Sequence, residues 1–451
     1  MTRVRDSIAA RRRMAGLSLI EMMIALVMAL VVAAGIISVF TSTSSSNKVQ
    51  AQMAALQEEG RFAIHSLRAD LANANGGYCN NTGGNAGVPT GGSLYLDWLR
   101  TPIIYSQDNT AIANAFHDVT TPMVPPGVPF MLPSYMYMRG YDCTTSACKP
   151  DDPNTTVADI PPMGSAVGKR VRGTSILTLR YLRPGSGWAI MKESDPSASY
   201  ISTTGGFTIT LRPQANEAPA SDFHDGDLAM LADCSTAQVF SVSNSSGTLT
   251  ANNNFPDANA PADLSKGAAP RLFDFSRDFQ TVTYFLRVAC VNGTTPCSGP
   301  TTGELVRRVN GDSQPLVRGV ERLDFRYGLI DANGNTRFLT ADEVDSGVDG
   351  NGNAIQCPQG GGTPDPMIDA MPMNGCLWRA IQTIEVHILM ESQTPMYTLT
   401  PAEMNYIYTP DSTSMQAPSA HDVRPKQDQG FPDQLIRREF TTVVALRNFN
   451  P

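Results

Sequence analysis

The sequence predicts an α+β chain: one long N-terminal helix, then a β-rich body built on an antiparallel sheet with long loop insertions. Three observations predict it. Residues 17–40 form an apolar run whose single charge is Glu21. Beyond it, apolar residues recur at Val49, Met53, Leu56, Gly60, Ile64, Leu67 and Leu71, the three-and-four spacing of one helix face. From residue 77 the pattern becomes short alternating segments, in a chain with 37 Gly and 32 Pro residues, as in β-rich folds with decorated loops.

The helix comes first in chain order. At 1.5 Å per residue the apolar run covers about 36 Å, enough to cross a hydrocarbon core. A Ser/Thr cluster at 41–46 leads into the amphipathic half. Gln52, Gln57, Glu58, Arg61, Arg68 and Asp70 are assigned to its polar faces. "NANGG" (73–77) supplies the stop, with Gly expected in the left-handed cap. One helix is thus expected over about 17–75, anchored in a membrane by its first half and covered by a sheet along its second.

The body follows. Strands are expected in 174–183, 226–243, 281–290, 304–309, 320–330, 381–390 and 438–448. Residues 101–170, 243–272, 331–376 and 392–434 read as loops or insertions.

Charge and motif content narrow the function classes. The net charge is −8, yet Arg3, Arg5, Arg11, Arg12 and Arg13 crowd the N-terminus against Asp6 alone. The acidic body argues against nucleic acid. The basic start suits retention on the cytoplasmic side of a membrane. Five histidines are dispersed, and HExxH, GxSxG, Walker A and strand-borne GxGxxG patterns are absent. The chain therefore reads as non-enzymatic. Eight cysteines follow the apolar run with no CxxC pair, which favours disulfides over metal sites.

One oxygen-rich stretch has two readings. Asp331, Asn333, Asn335 and Asp342 stand near a calcium-loop register. Thr336 replaces the turn glycine, Asp342 is shorter than the usual Glu, and the flanks read as strands. Asp345, Asp349, Asn351 and Asn353 form a second such patch. The other reading is a pair of Asn/Asp/Gly turns. No other cofactor is expected.

The N-terminus resembles the cleavage and methylation motif of type IV pilins and pseudopilins. The residues that carry it are "GLSLIEMMIA", 16–25, after the basic run. The resemblance implies that a prepilin peptidase cuts after Gly16 and methylates the new amine of Leu17, where Phe is usual. It also implies that Glu21, fifth in the mature chain, meets the N-terminal amine of a neighbouring subunit. A buried carboxylate needs such a partner.

A second resemblance spans the body. "GDLAMLADCSTAQVF", "VERLDFRYGLIDANGNTRFLTADEV", "AIQTIEVHILMES" and "RREFTTVVALRN" are similar to the PilW family of minor pilins. It implies a pilin-like fold: leader 1–16, transmembrane half-helix 17–40, amphipathic half-helix 41–76 and periplasmic head 77–451. Excess length over the family is assigned to loops 101–170 and 331–376. Proximity within that fold pairs Cys143–Cys148, Cys290–Cys297 and Cys357–Cys376, with Cys79–Cys234 joining helix end to sheet.

The implied function is a structural minor pilin. It would sit in the inner membrane, help initiate type IV pilus assembly, and occupy the pilus tip. Twitching motility and adhesion would depend on it. Implied partners are other minor pilins, the major pilin and a tip adhesin-like protein. The alternatives are a minor pseudopilin of a type II secretion system and a membrane-anchored periplasmic binding protein.

Overall fold

The computed structural model describes residues 18–78, 102–106, 108–117, 130–156, 160–195, 197–203, 206–232, 237–252, 270–294, 296–330, 336–355, 375–397 and 399–446. The chain divides into two units, Met1–Ala54 and Ala55–Pro451.

Helix α1 runs Leu19–Leu71 without a break. In the second unit its buried residues are Leu56, Gly60, Ala63, Leu67, Asp70 and Leu71. Most of the expected stripe is therefore the packed face, with Ile64 at its margin. Each fully buried leucine on it contributes about 1.5–3 kcal/mol. Two details differ from expectation. The left-handed residue after the helix is Asn75, φ 60°, and not a glycine. Asp70 lies on the buried face and not among the solvated residues.

The stripe packs on two antiparallel sheets that share one core. The first has six strands, in the order Asp312–Arg318, Thr301–Val309, Phe279–Cys290, Ile176–Leu182, Met138–Cys143 and Cys148–Lys149. The second has four, in the order Thr336–Leu339, Val320–Ile330, Thr383–Glu391 and Arg437–Ala445. Strand Asp312–Arg318 ends the first sheet, and after Gly319 the chain opens the second. The sheets touch at Gly303, where an added Cβ would lie 1.9 Å from the Val320 carbonyl oxygen. Backbone cannot swing aside as a side chain can. Gly303→Ala is expected to cost about 1–3 kcal/mol by overpacking, read as a lower thermal midpoint of the full chain.

The expectation of one sheet with loop insertions is corrected here. Seven strands between residues 188 and 274 close into a barrel. Their order is Thr248–Ala251, Thr208–Thr210, Ser199–Ser202, Trp188–Met191, Arg271–Asp274, Leu228–Ala232 and Ala237–Ser245, and the last pairs back to the first. Trp188, Phe207, Phe223 and Phe240 fill it, and the Trp188 indole donates to the Ala218 carbonyl at 2.8 Å. The barrel interrupts no sheet. It leaves after Ile176–Leu182 and returns into Phe279–Cys290, and those strands pair at Leu182 and Phe279. Both ends of the insertion thus emerge from one end of a strand pair.

Every expected strand segment holds a strand. The regions read as loops also carry structure: helix Asn109–Phe116, strand Met138–Cys143, helix Ala341–Ser346 and hairpin Tyr406–Tyr408 with Ser412–Gln416. These elements are short, and a few residues carry too few turns of alternation to announce themselves.

Candidate functional site

The N-terminal motif enters the described residues at Ser18. Ser18 is the N-cap of α1, and its carbonyl accepts from Met22 N–H at 3.1 Å. Its hydroxyl accepts from Ile20 N–H at 3.3 Å, and Glu21 Oε2 accepts from Ser18 N–H at 3.0 Å. Glu21 is thus the returning half of an S-x-x-E capping arrangement. That signal stands in the sequence as "SLIE". It gives the carboxylate a local partner and aims it back toward the chain start. Leu17 and Gly16 lie outside the described residues. A negative charge is also favoured at this end of a helix.

Behind the motif the helix has no cover. Large apolar side chains from Leu19 to Phe40 are all exposed within the first unit. This is the one described helix long and apolar enough to cross a membrane. Such a surface needs lipid or other helices against it.

In the second unit one buried charge joins helix to sheet. Asp70, 7% exposed, accepts from Tyr181 Oη at 2.9 Å and Tyr284 Oη at 2.6 Å. Arg307 grips the same carboxylate with Nε at 2.5 Å and Nη2 at 3.0 Å. Burial and the neighbouring carboxylate push both phenols well up. The donors come from three adjacent strands of the six-stranded sheet. The charge is tolerated because every donor aimed at it is fixed by strand pairing.

A second cluster sits between the sheets. Ser175 Oγ lies 2.9 Å from Asp142 Oδ1 and 2.8 Å from Asp324 Oδ1. One hydroxyl proton cannot serve two carboxylates, so a proton on Asp142 would let both contacts form. Consistently, burial pushes the Asp142 carboxyl up to about 6, with Ala341 N–H at 2.7 Å pulling the other way. An unfolded aspartate titrates near 3.9. Between those pH values the fold holds a proton that the unfolded chain has released. The Asp142 contribution to stability is therefore full below about 4 and is lost as pH rises to about 6. The thermal midpoint of the full chain is expected to fall over that window, and Asp142→Asn to flatten the fall.

The remaining candidates are placed as follows. Cys143–Cys148 and Cys290–Cys297 are disulfide-bonded. Cys79, Cys234 and Cys357 lie outside the described residues, as do Asp331, Asn333 and Asn335. Asp342 accepts from Lys149 Nζ at 2.9 Å. Asp345 is gripped by Arg139 and by the Trp378 indole. Arg337 and the amides of Asn351 and Asn353 turn on Asp349, and these donors, Arg337 first, hold its carboxyl down to about 2. Protein donors thus serve Asp342, Asp345 and Asp349. Among the described residues no group of three or more His, Cys, Asp or Glu could hold a metal ion. Of the histidines, His387 bonds Glu439 at 2.8 Å and His421 stacks on Tyr406 beside Asp411.

Residues 300–448 match the family model described as Type IV Pilus-assembly protein W (PilW). The match is consistent with a PilW-family protein and supports involvement in type IV pilus assembly. It covers the strands from Thr301–Val309 to Arg437–Ala445 and leaves the barrel outside. No curated protein and no solved structure matches the chain.

Proposed function

We propose that this chain is a structural minor pilin of the PilW kind that helps initiate a type IV pilus and stays at its tip. The observation that carries the proposal is the PilW match on the strands that cover α1, in a chain whose helix begins with an uncovered apolar half behind "GLSLIE". In this reading residues 1–16 are a leader removed by prepilin peptidase after Gly16, and Leu17 becomes the methylated N-terminus. Residues 17–40 hold the subunit in the inner membrane, 41–76 form the amphipathic half of the helix, and 77–451 face the periplasm. Glu21 meets the Leu17 amine of a neighbour during assembly. Other minor pilins, the major pilin and an adhesin-like tip protein are the partners, and twitching and adhesion follow from the filament. The Cys79–Cys234 and Cys357–Cys376 pairings belong to the same reading.

Intact-mass analysis of the membrane-extracted protein tests the first step. The expected mature chain lacks residues 1–16 and carries one methyl group on Leu17. In parallel, deletion of the gene is expected to remove surface pili, counted by electron microscopy. An uncleaved N-terminus or an undiminished pilus count overturns the proposal.

A further inference from the structure

A groove of about 610 Å³ lies between the helix face at residues 55–62 and the edge strand Asp312–Arg318. Its walls are mixed: Phe62, half exposed on the helix, and Pro315 and Leu316 on the strand form an apolar patch among charged and polar side chains that include Glu58, Glu59 and Arg318. An aromatic left half in water beside a cleft is the kind of anchor that binding partners use.

The rim is acidic. Glu58 and Glu59 lie along it, and no cationic side chain among the described residues pairs with either. Glu59 takes one hydrogen bond, from Gln393 Nε2 at 2.8 Å, and burial beside Glu58 raises its pKa. The nearby Arg318 is already committed, donating to Glu304 at 3.0 Å, which Arg287 holds at 2.6 Å from its other side. The groove therefore offers the negative charge of Glu58 and Glu59 beside the small apolar patch of Phe62, Pro315 and Leu316.

That chemistry selects the occupant. Anionic lipid headgroups and phosphates are repelled. Strand addition is blunted, because Pro315 removes a donor from the sheet edge. A helix needs no edge donors and meets the groove through side chains alone. We infer that the groove receives a cationic amphipathic helix of a second, different pilin-type subunit. The inference rests on the minor-pilin reading and specifies one contact within it: apolar side chains on Phe62 and Leu316, and Lys or Arg against Glu58 and Glu59.

The test uses the full chain in its own membrane. A photo-crosslinking amino acid placed at Leu316 is expected to yield an adduct with a Lys/Arg-bearing helical segment of another pilin-type subunit, identified by mass spectrometry. Glu58→Lys with Glu59→Lys is expected to cut the adduct by about tenfold, and Lys→Glu in the captured segment to restore it. If the double reversal lowers the thermal midpoint, Glu58→Lys alone, at an exposed position, serves instead. An adduct with phospholipid only, with a second copy of this chain only, or undiminished by charge reversal overturns the inference. Pilus counts separate the two readings. If the Glu58→Lys/Glu59→Lys strain keeps its pili and the Glu21→Gln strain loses them, the groove inference fails and the minor-pilin reading stands. If both keep their pili, the groove inference and the Glu21 pairing fail, and the minor-pilin reading stands or falls with the pilus count of the gene deletion.

Discussion

A chain carrying Glu21→Gln is expected to insert in the membrane at wild-type level and to support no pili. The reasoning separates two roles of one carboxylate. Within the chain, Glu21 caps its own helix through Ser18 N–H. Loss of such a cap costs about 0.5–2 kcal/mol, a small sum for a helix held by membrane along its length. Gln retains a carbonyl oxygen in the same place and can serve the cap. It cannot offer a negative charge to an ammonium group. Inside an apolar bundle that charge pair is the stronger interaction, because little water screens it. Glu21→Ala removes both roles and is expected to give the same loss of pili. The measurement is a pilus count by electron microscopy beside membrane fractionation of each variant. Pili at wild-type number with Glu21→Gln would leave capping as the whole role of this residue and sink the intersubunit pairing.

The second large effect lies at Asp70. Asp70→Ala is expected to destabilise the head by about 3–5 kcal/mol, the usual cost of removing one partner from a buried, hydrogen-bonded pair. The loss has three parts. Arg307 is left with a charge and no counter-charge. The Tyr181 hydroxyl loses its acceptor, and the Tyr284 hydroxyl keeps only the Ser66 carbonyl, at 3.2 Å. A void opens under the helix. Tyr284→Phe removes one hydroxyl donor, shared between Asp70 and the Ser66 carbonyl, and is expected to cost only about 1 kcal/mol. Urea unfolding of the detergent-solubilised full chain, followed by tryptophan fluorescence, reads both. An Asp70→Ala midpoint equal to that of Tyr284→Phe would show that the carboxylate is not the centre of the clamp. The clamp also bears on the proposed function. It fixes the helix to the sheet near residue 70, so force on the helix in a filament reaches the head through a charge-assisted joint.

Some of this molecule is legible without coordinates. An apolar run followed by a three-and-four stripe can only be a helix that changes environment partway along. Leu56, Leu67 and Leu71 pack where that spacing puts them. The long strands of the C-terminal half, such as Phe279–Cys290, Val320–Ile330 and Thr383–Glu391, run nine to twelve residues, long enough for their period to show. Even the cap at Glu21 is written in "SLIE", a serine three residues before a glutamate.

What the sequence by itself determined is therefore local: which residues form the long helix, which face of it is apolar, and where the long strands lie. Periodicity is a property of neighbours in the chain, and neighbours suffice to read it. Tertiary structure alone decided the rest. Asp70 looks like any solvated helix aspartate until Arg307, 237 residues away, and two tyrosines close on it. The barrel strands are three to nine residues long and gain their stability from closing on one another. The groove beside Phe62 exists because an edge strand from residues 312–318 comes to lie next to residues 55–62. In each case the deciding contact joins residues far apart in the chain, and no local pattern encodes which distant partner will arrive.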